Sequence, residues 1–593
     1  MKIFSLHPHF LPLVLLHLVA VSHASQDDLI INTSHGKVQG KLLSVPGGDV
    51  RAFLGIPYAK PPLGQLRFRA PQPAERWEGV KDSTKYSDSC YQVLDTAFPG
   101  FKGAEMWNPN TPLNEDCLYL NVWSPHFNKT QSQPSPLVPV LVWIYGGGFA
   151  MGTSSLDIYD GRFLSKSEGV VVVSMNYRLG ALGFLSLPDN EHVRGNAGLL
   201  DQRLALQWVA NNIAAFGGDP STVTLFGESA GSGCVGLHLL SPGSQDLFQR
   251  AIMESGSPNA PWGTISQAES WDRSLMLAKL LGCSTFPPAQ LEACLQEADP
   301  ATITSKQYEI FTKPSLLTLP FVPVVDGDFL PDDLEVLQRT SNLPKKDVLV
   351  GVNKDEGTYF LIYGVPGFGI IDESLISRYQ FLHGVHLTMV DASNVTRETA
   401  LFQYTDWTDV DNKMKNRDLL GNLVGDQLFV CPVLEFTQSY SQHGGKAFLY
   451  LFDHRSSNNP WPEWMGVMHG YEIEFVFGMP LNASLGYTKN EVNMTKKIMK
   501  HWANFARTGD PSIDGDNWPM FTSEKQEYIT LNYKHPEKKS MLRANECHLW
   551  NKLMPNIQKV SDDLRSCVKA NGIILCCNYT SLIILLVFGL LVY

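Results

Sequence analysis

No C-x-x-C pair, low-complexity tract or internal repeat occurs in this chain of 593 residues. Without a C-x-x-C pair, the ten cysteines point to disulfides in an oxidising compartment rather than to metal ligation. No linker-like stretch separates Ser25 from about Cys547, so one large domain is expected. Basic residues are also in deficit: 47 Lys and Arg stand against 59 Asp and Glu, a net charge of −12. That balance argues against nucleic acid and anionic membrane surfaces as partners. It suits a cationic ligand, although most of the charge is ordinary solvated surface.

What is present starts at the two ends. Lys2 precedes an apolar run from Phe10 to Val21 that closes on Ser22-His23-Ala24. This is the pattern of a signal peptide, residues 1–24, and the run is too short to span a bilayer. At the other end, within a tail of residues 569–593, the run from Ile573 to Tyr593 is apolar and stops without a basic segment. Ala570-Asn571-Gly572 followed by Leu582 to Tyr593 fits a GPI-anchor signal. A transmembrane helix is the competing reading, and Cys576, Cys577, Asn578, Thr580 and Ser581 interrupt it. Sequons at Asn32, Asn128, Asn394, Asn482 and Asn493 predict a glycosylated exterior; one at Asn578 falls in the tail expected to be removed.

Between the ends, short β-rich runs alternate with turns and helical stretches, which predicts an α/β fold. The expected architecture is a large, mostly parallel central sheet with helices on both faces. Val140–Ile144, Val170–Val173, Val223–Phe226, Val348–Val352 and Phe448–Phe452 read as its strands. The second of these is a continuous branched run, as burial on both faces requires.

Gly227-Glu228-Ser229-Ala230-Gly231 fits G-x-S-x-G between a strand and the helical stretch Ser232–Leu240. A sharp strand-to-helix turn would hold Ser229 in a strained conformation at the sheet's carboxyl edge, with flanking glycines removing clashes. Gly146-Gly147-Gly148 ends an earlier strand. The amides of Gly147, Gly148 and Ala230 are the candidate donors to a developing oxyanion. A serine nucleophile needs a base and an acid, in the chain order serine, acid, histidine. Of the 16 histidines, His443, His454, His469, His501, His535 and His548 lie late enough. His469 stands alone in the turn Gly466–Gly470, whereas His454 follows its strand too closely and reads as structural. The acid is Asp355 or Glu356, and spacing alone does not separate them.

At this point the sequence resembles the cholinesterases of the α/β-hydrolase type, from about Leu29 to Cys567. The resemblance rests on Glu105-Met106-Trp107-Asn108-Pro109-Asn110 with Glu115–Asn121, on Phe226–Gly231, on Asn353–Gly357 and on Gly466–Glu472. It implies a catalytic domain over 25–568 and a serine hydrolase of choline esters, with Glu356 as the acid beside Ser229 and His469. It also implies a choline site at Trp107, Glu228 and Tyr359. A tryptophan face attracts a quaternary ammonium, which can donate no hydrogen bond. The same resemblance implies disulfides Cys90–Cys117, Cys283–Cys294 and Cys431–Cys547, a buried free thiol at Cys234, and an interchain bridge at Cys567 that makes a disulfide-linked homodimer. Neither a metal nor any other cofactor is expected.

Two departures resemble butyryl-type members. Counting back from Phe321-Val322-Pro323-Val324, the acyl-pocket positions are Leu317 and Leu319, where acetyl-specific relatives carry phenylalanines. At the gorge rim Val93 and Ala150 replace tyrosines and Tyr308 replaces a tryptophan, while Asp95 and Tyr363 are kept. A general carboxylesterase and a non-catalytic adhesion protein are the rival readings. The first would share the triad without the Trp107 segment, and the second would have lost triad members.

Overall fold

The computed structural model describes residues 26–126, 136–311, 313, 315–339, 345–534 and 536–569. The signal segment, Asn128 and the tail from residue 570 lie outside the described residues, as does the side chain of Cys567.

A small sheet joins β1 (Ile30–Asn32), β2 (Lys37–Gln39) and β5 (Val80–Asp82). The large sheet has 11 strands in the order β14-β13-β12-β11-β10-β9-β7-β8-β6-β4-β3. These are β3 (Lys41–Val45), β4 (Gly48–Pro57), β6 (Tyr119–Pro125), β7 (Val138–Ile144), β8 (Val171–Met175) and β9 (Gly218–Glu228). They continue with β10 (Arg250–Glu254), β11 (Asp347–Asn353), β12 (Ala447–Phe452), β13 (Glu527–Leu531) and β14 (Lys538–Ser540). The run from β8 to β13 is parallel, and the outer strands are antiparallel. All five strands expected from the sequence are present. β8 is buried at every position, so its valines pack on both faces. The exposed edge strand β14 carries lysines, which discourage pairing with a further chain.

From β7 the chain continues to β8 on one side and then returns to β9 on the other. The carboxyl ends of β7 and β9 therefore flank a topological switch point, where open α/β sheets bind ligands. β7, β9, β11 and β12 carry the glycine turn, the serine, the acid and the histidine respectively.

The three expected intrachain disulfides are formed, and Cys234 is a buried free thiol. Cys90–Cys117 closes the loop that contains Trp107, over a separation of 27 residues. Arg67 locks the foot of this loop, donating from Nε to Glu115 Oε1 at 2.7 Å and from Nη2 to Oε2 at 2.6 Å. The segment Lys413–Gln442 is apolar and long enough to cross a membrane by composition, yet 78% of its most apolar stretch is buried inside the fold. It is a core helix.

Candidate active site

The turn after β9 places Ser229 at φ 57°, ψ −124°, outside ordinary L-residue space, directly before the helix Ala230–Leu240. The helix starts two residues earlier than the sequence suggested, because Ala230 and Gly231 already follow helical geometry. A Cβ on Gly231 would lie 2.0 Å from Ile144 O, and one on Gly227 2.6 Å from the same oxygen. The glycines are thus required by the end of β7 pressing on the turn. Ser229 N–H is tied to Glu254 O at 2.8 Å, which anchors the nucleophile's backbone to β10.

His469 Nδ1 lies 2.6 Å from Glu356 Oε2, and Glu356 Oε1 accepts from Asn353 N–H at 2.6 Å. Asp355 instead accepts from Val467 N–H at 2.8 Å, so the structure pairs the second carboxylate with the histidine. With Nδ1 committed to Glu356, Nε2 is the nitrogen that faces outward from the pair. It is buried and has no hydrogen-bond partner; Glu228 Oε1 stands 3.1 Å away. A serine–histidine bond is not made in this geometry; such bonds commonly tighten only with substrate in place. His454 is structural, as read from the sequence: its Nε2 meets Glu491 Oε1 at 3.1 Å.

Three further carboxyls surround this pair. Burial, then the charges of Glu356 and Glu254, push Glu228 well above the usual carboxylate range. Burial and the neighbouring Glu472 do the same to Glu254, whose Oε1 accepts from Trp502 Nε1 at 2.7 Å. Glu472 is pushed up to about 8 by burial, then by Glu228 and Glu356. Burial and mutual repulsion thus favour the neutral form of all three carboxyls around this pair.

Gly147 and Gly148 hold φ values of 101° and 61°, conformations open to glycine. Among the described residues neither N–H donates to a protein acceptor, so both remain available beside the serine turn. A Cβ on the preceding Gly146 would lie 2.9 Å from Ser229 Cβ, which fixes how closely the two loops meet.

Residues 27–550 match the carboxylesterase family. The chain is 50% identical to an acetylcholinesterase of Bungarus fasciatus, over 92% of this chain and 90% of that one. It is also 50% identical to a cholinesterase of Mus musculus, over 94% of this chain and 92% of that one. The chain belongs to the carboxylesterase family. Its fold is accordingly the α/β-hydrolase fold, and it is a serine carboxylic ester hydrolase related to cholinesterases.

Around the centre of this carboxylesterase, Trp107 meets Tyr471 edge to face at 6.3 Å. A Cβ on Gly470 would lie 3.4 Å from Trp107 Cη2 and 3.6 Å from Glu228 Oε1. The turn that carries His469 therefore also touches the indole and the Glu228 carboxyl. Tyr363 donates to Asp95 Oδ2 at 2.7 Å and lies 3.1 Å from Tyr359 OH. Tyr308 is not joined to that chain by any described contact. Val93 is exposed, but Ala150 is buried in the glycine turn. Leu319 lies against the glycine turn, its Cδ2 2.6 Å from where a Cβ on Gly148 would stand. Leu317, Leu319 and Trp262 share the wall of a cavity of about 440 Å³. The sequence reading missed Phe429 and Phe360, whose rings stand 4.3 Å and 5.3 Å from the His469 ring. It also missed Glu254. Glu472 had been quoted only as part of a motif.

Proposed function

We propose that this carboxylesterase hydrolyses choline esters, acetyl and butyryl alike, through an acyl-enzyme on Ser229. Ser229 Oγ attacks the ester carbonyl carbon while His469 Nε2 takes its proton. The carbonyl electrons move onto oxygen, where the N–H groups of Gly147, Gly148 and Ala230 meet the charge. Collapse expels choline, which takes the proton from His469. Water then repeats the sequence on the acyl-enzyme, releasing the carboxylic acid and restoring Ser229. Glu356 fixes the imidazole tautomer and stabilises its cation. Trp107, Glu228 and Tyr359 receive the quaternary ammonium, and Leu317 with Leu319 receives the acyl chain. Asp95, Tyr363 and Tyr308 form the rim.

The observation that carries this reading is the His469–Gly470 turn. One side of it holds Glu356 at 2.6 Å, and the other touches Trp107 and Glu228. A general carboxylesterase has no need of a tryptophan at that turn. The exterior belongs to the same reading. Cleavage after Ala24, glycans on Asn32, Asn128, Asn394, Asn482 and Asn493, a lipid anchor near residue 570 and a Cys567 bridge describe a cell-surface dimer. Exposure of Asn32, Asn394 and Asn493 supports the glycan assignment.

Acetylthiocholine, butyrylthiocholine and a neutral phenyl ester test the function together. The wild type should cleave both choline esters faster than the phenyl ester. Ser229→Ala should lower kcat by at least about 10⁴-fold, because nucleophile and base act as a unit. Equal or faster turnover of the phenyl ester would favour a general carboxylesterase, and absence of all three activities an adhesion role.

A further inference from the structure

The core helix Lys413–Gln442 is not regular. Between Lys413–Gly425 and Cys431–Gln442 it passes through a π turn, Asp426–Val430. Such turns are rare, and they shift the backbone hydrogen bonds by one residue. Here the shifted segment and the glycine just before it approach three parts of the candidate site. Leu428 O accepts from Trp262 Nε1 at 2.8 Å, beside the acyl-pocket leucines, and the Leu428 side chain lines the same cavity. The Phe429 ring lies 4.3 Å from the His469 ring and stacks on Phe360 at 5.0 Å. Just before the turn, Gly425 meets the acid's neighbour: a Cβ on Gly357 would stand 2.4 Å from Gly425 N.

The far side of the turn is fastened to the C-terminal segment. Asp426 is buried and accepts from Tyr404 OH at 2.7 Å and from Arg543 Nε at 2.9 Å; Arg543 Nη2 donates to its second oxygen. Trp550 Nε1 donates to Tyr404 OH at 2.8 Å, and Asn551 Nδ2 to Cys431 O at 2.9 Å. Trp550 and Asn551 belong to a second π turn, Leu549–Leu553, which opens the helix Met554–Lys569. The Cys431–Cys547 disulfide closes the same junction. A buried aspartate with this many donors can keep only one orientation, and the turn that begins at Asp426 is held with it.

We propose that Asp426, held by Tyr404 and Arg543, is a positioning residue for acyl-chain selectivity: it fixes the π turn that sets Phe429 on His469 and Leu428 on the acyl wall. This rests on the reading of the acyl pocket given above. Slackening the turn moves Leu428, Trp262 and Phe429 together, so it alters the space that an acyl chain meets while leaving Trp107 untouched.

The ratio of kcat/KM for butyrylthiocholine to acetylthiocholine reads this out, with active sites counted by organophosphate titration. Tyr404→Phe keeps the ring and removes one donor. Asp426→Asn removes the charge. Both should shift the ratio by at least about threefold, the scale of coupling found along packed networks. Inhibition by tetramethylammonium, which reports the Trp107 side, should stay within about twofold by the same reasoning. If Asp426→Asn is not secreted, Tyr404→Phe alone decides. An unchanged ratio per active site in Tyr404→Phe overturns the proposal, even where thermal stability falls, and so does a parallel loss of tetramethylammonium binding. A wild type that cleaves neither choline ester overturns the proposed function itself and this inference with it. A wild type that cleaves both leaves the variants to judge this inference alone.

Discussion

A quaternary ammonium carries a full charge and no N–H, so a protein can hold it only by shape, field and aromatic faces. On the proposed reading, the residues at the His469 turn contribute to this unequally. Glu228 is pushed toward its neutral form by burial first and neighbouring carboxylates second, which weakens it as a counter-charge. On the proposed function, the indole of Trp107 supplies the main attraction. Trp107→Ala should lower kcat/KM for acetylthiocholine by roughly tenfold or more, the equivalent of one desolvated cation–π contact. A neutral ester of similar size should lose much less. Equal losses would mean that the indole only props the Cys90–Cys117 loop. At this scale the sequence was readable wherever chemistry demands a local pattern. Ser229 came from its glycines and His469 from its isolated turn. Asp355 and Glu356 were separated only by the family resemblance, because neighbours in a turn differ in direction and not in spacing. Phe429 left no mark, since a phenylalanine within an apolar helix looks like any core residue.

Loops and turns set what those residues can do. The loop that carries Leu319 reaches the glycine turn, where Gly148 has no side chain and the leucine fills the gap. A leucine can move aside for two extra methylenes; a phenylalanine ring would occupy their place. Each methylene in such a pocket is worth roughly 1 to 3 kcal/mol. Leu317→Phe with Leu319→Phe should therefore lower kcat/KM for butyrylthiocholine by at least about tenfold while sparing acetylthiocholine. Unchanged butyryl turnover in the double variant would place the pocket elsewhere. The ungapped count back from Phe321 is supported at Leu319 by its contact with Gly148. The parallel strands were the most legible elements, because burial on both faces leaves runs of branched residues that nothing else needs. The π turn at Asp426–Val430 was invisible for the opposite reason. A slip of one hydrogen bond changes neither composition nor apolar periodicity enough to register.

At the scale of the whole molecule, the proposed anchor stands apart from the catalytic body. The chain's net charge of −12 does not favour an anionic surface, and Lys413–Gln442, apolar enough to span, is packed into the core. On the proposed lipid-anchor reading, attachment falls to the chain after residue 569, outside the described residues. Ser229, Glu356, His469, the glycine turn, Trp107, Leu317 and Leu319 all lie before that point, and the Cys431–Cys547 disulfide fastens the segment just ahead of the helix Met554–Lys569 to the body. Nothing catalytic depends on the tail, so the two functions should separate cleanly. A chain ending at Lys569 should be secreted with wild-type kcat/KM per active site. The full chain should be held on the outer cell surface and released by a phosphatidylinositol-specific phospholipase, with residues 582–593 absent from the mature protein by mass spectrometry. A lipid anchor gives this result because its hydrophobic signal is exchanged for the lipid during processing. A transmembrane helix keeps its apolar residues and has no phosphodiester to cleave. Retention after phospholipase treatment, with the tail still present in the spectrum, would therefore replace the lipid anchor by a spanning helix and leave the catalytic reading intact.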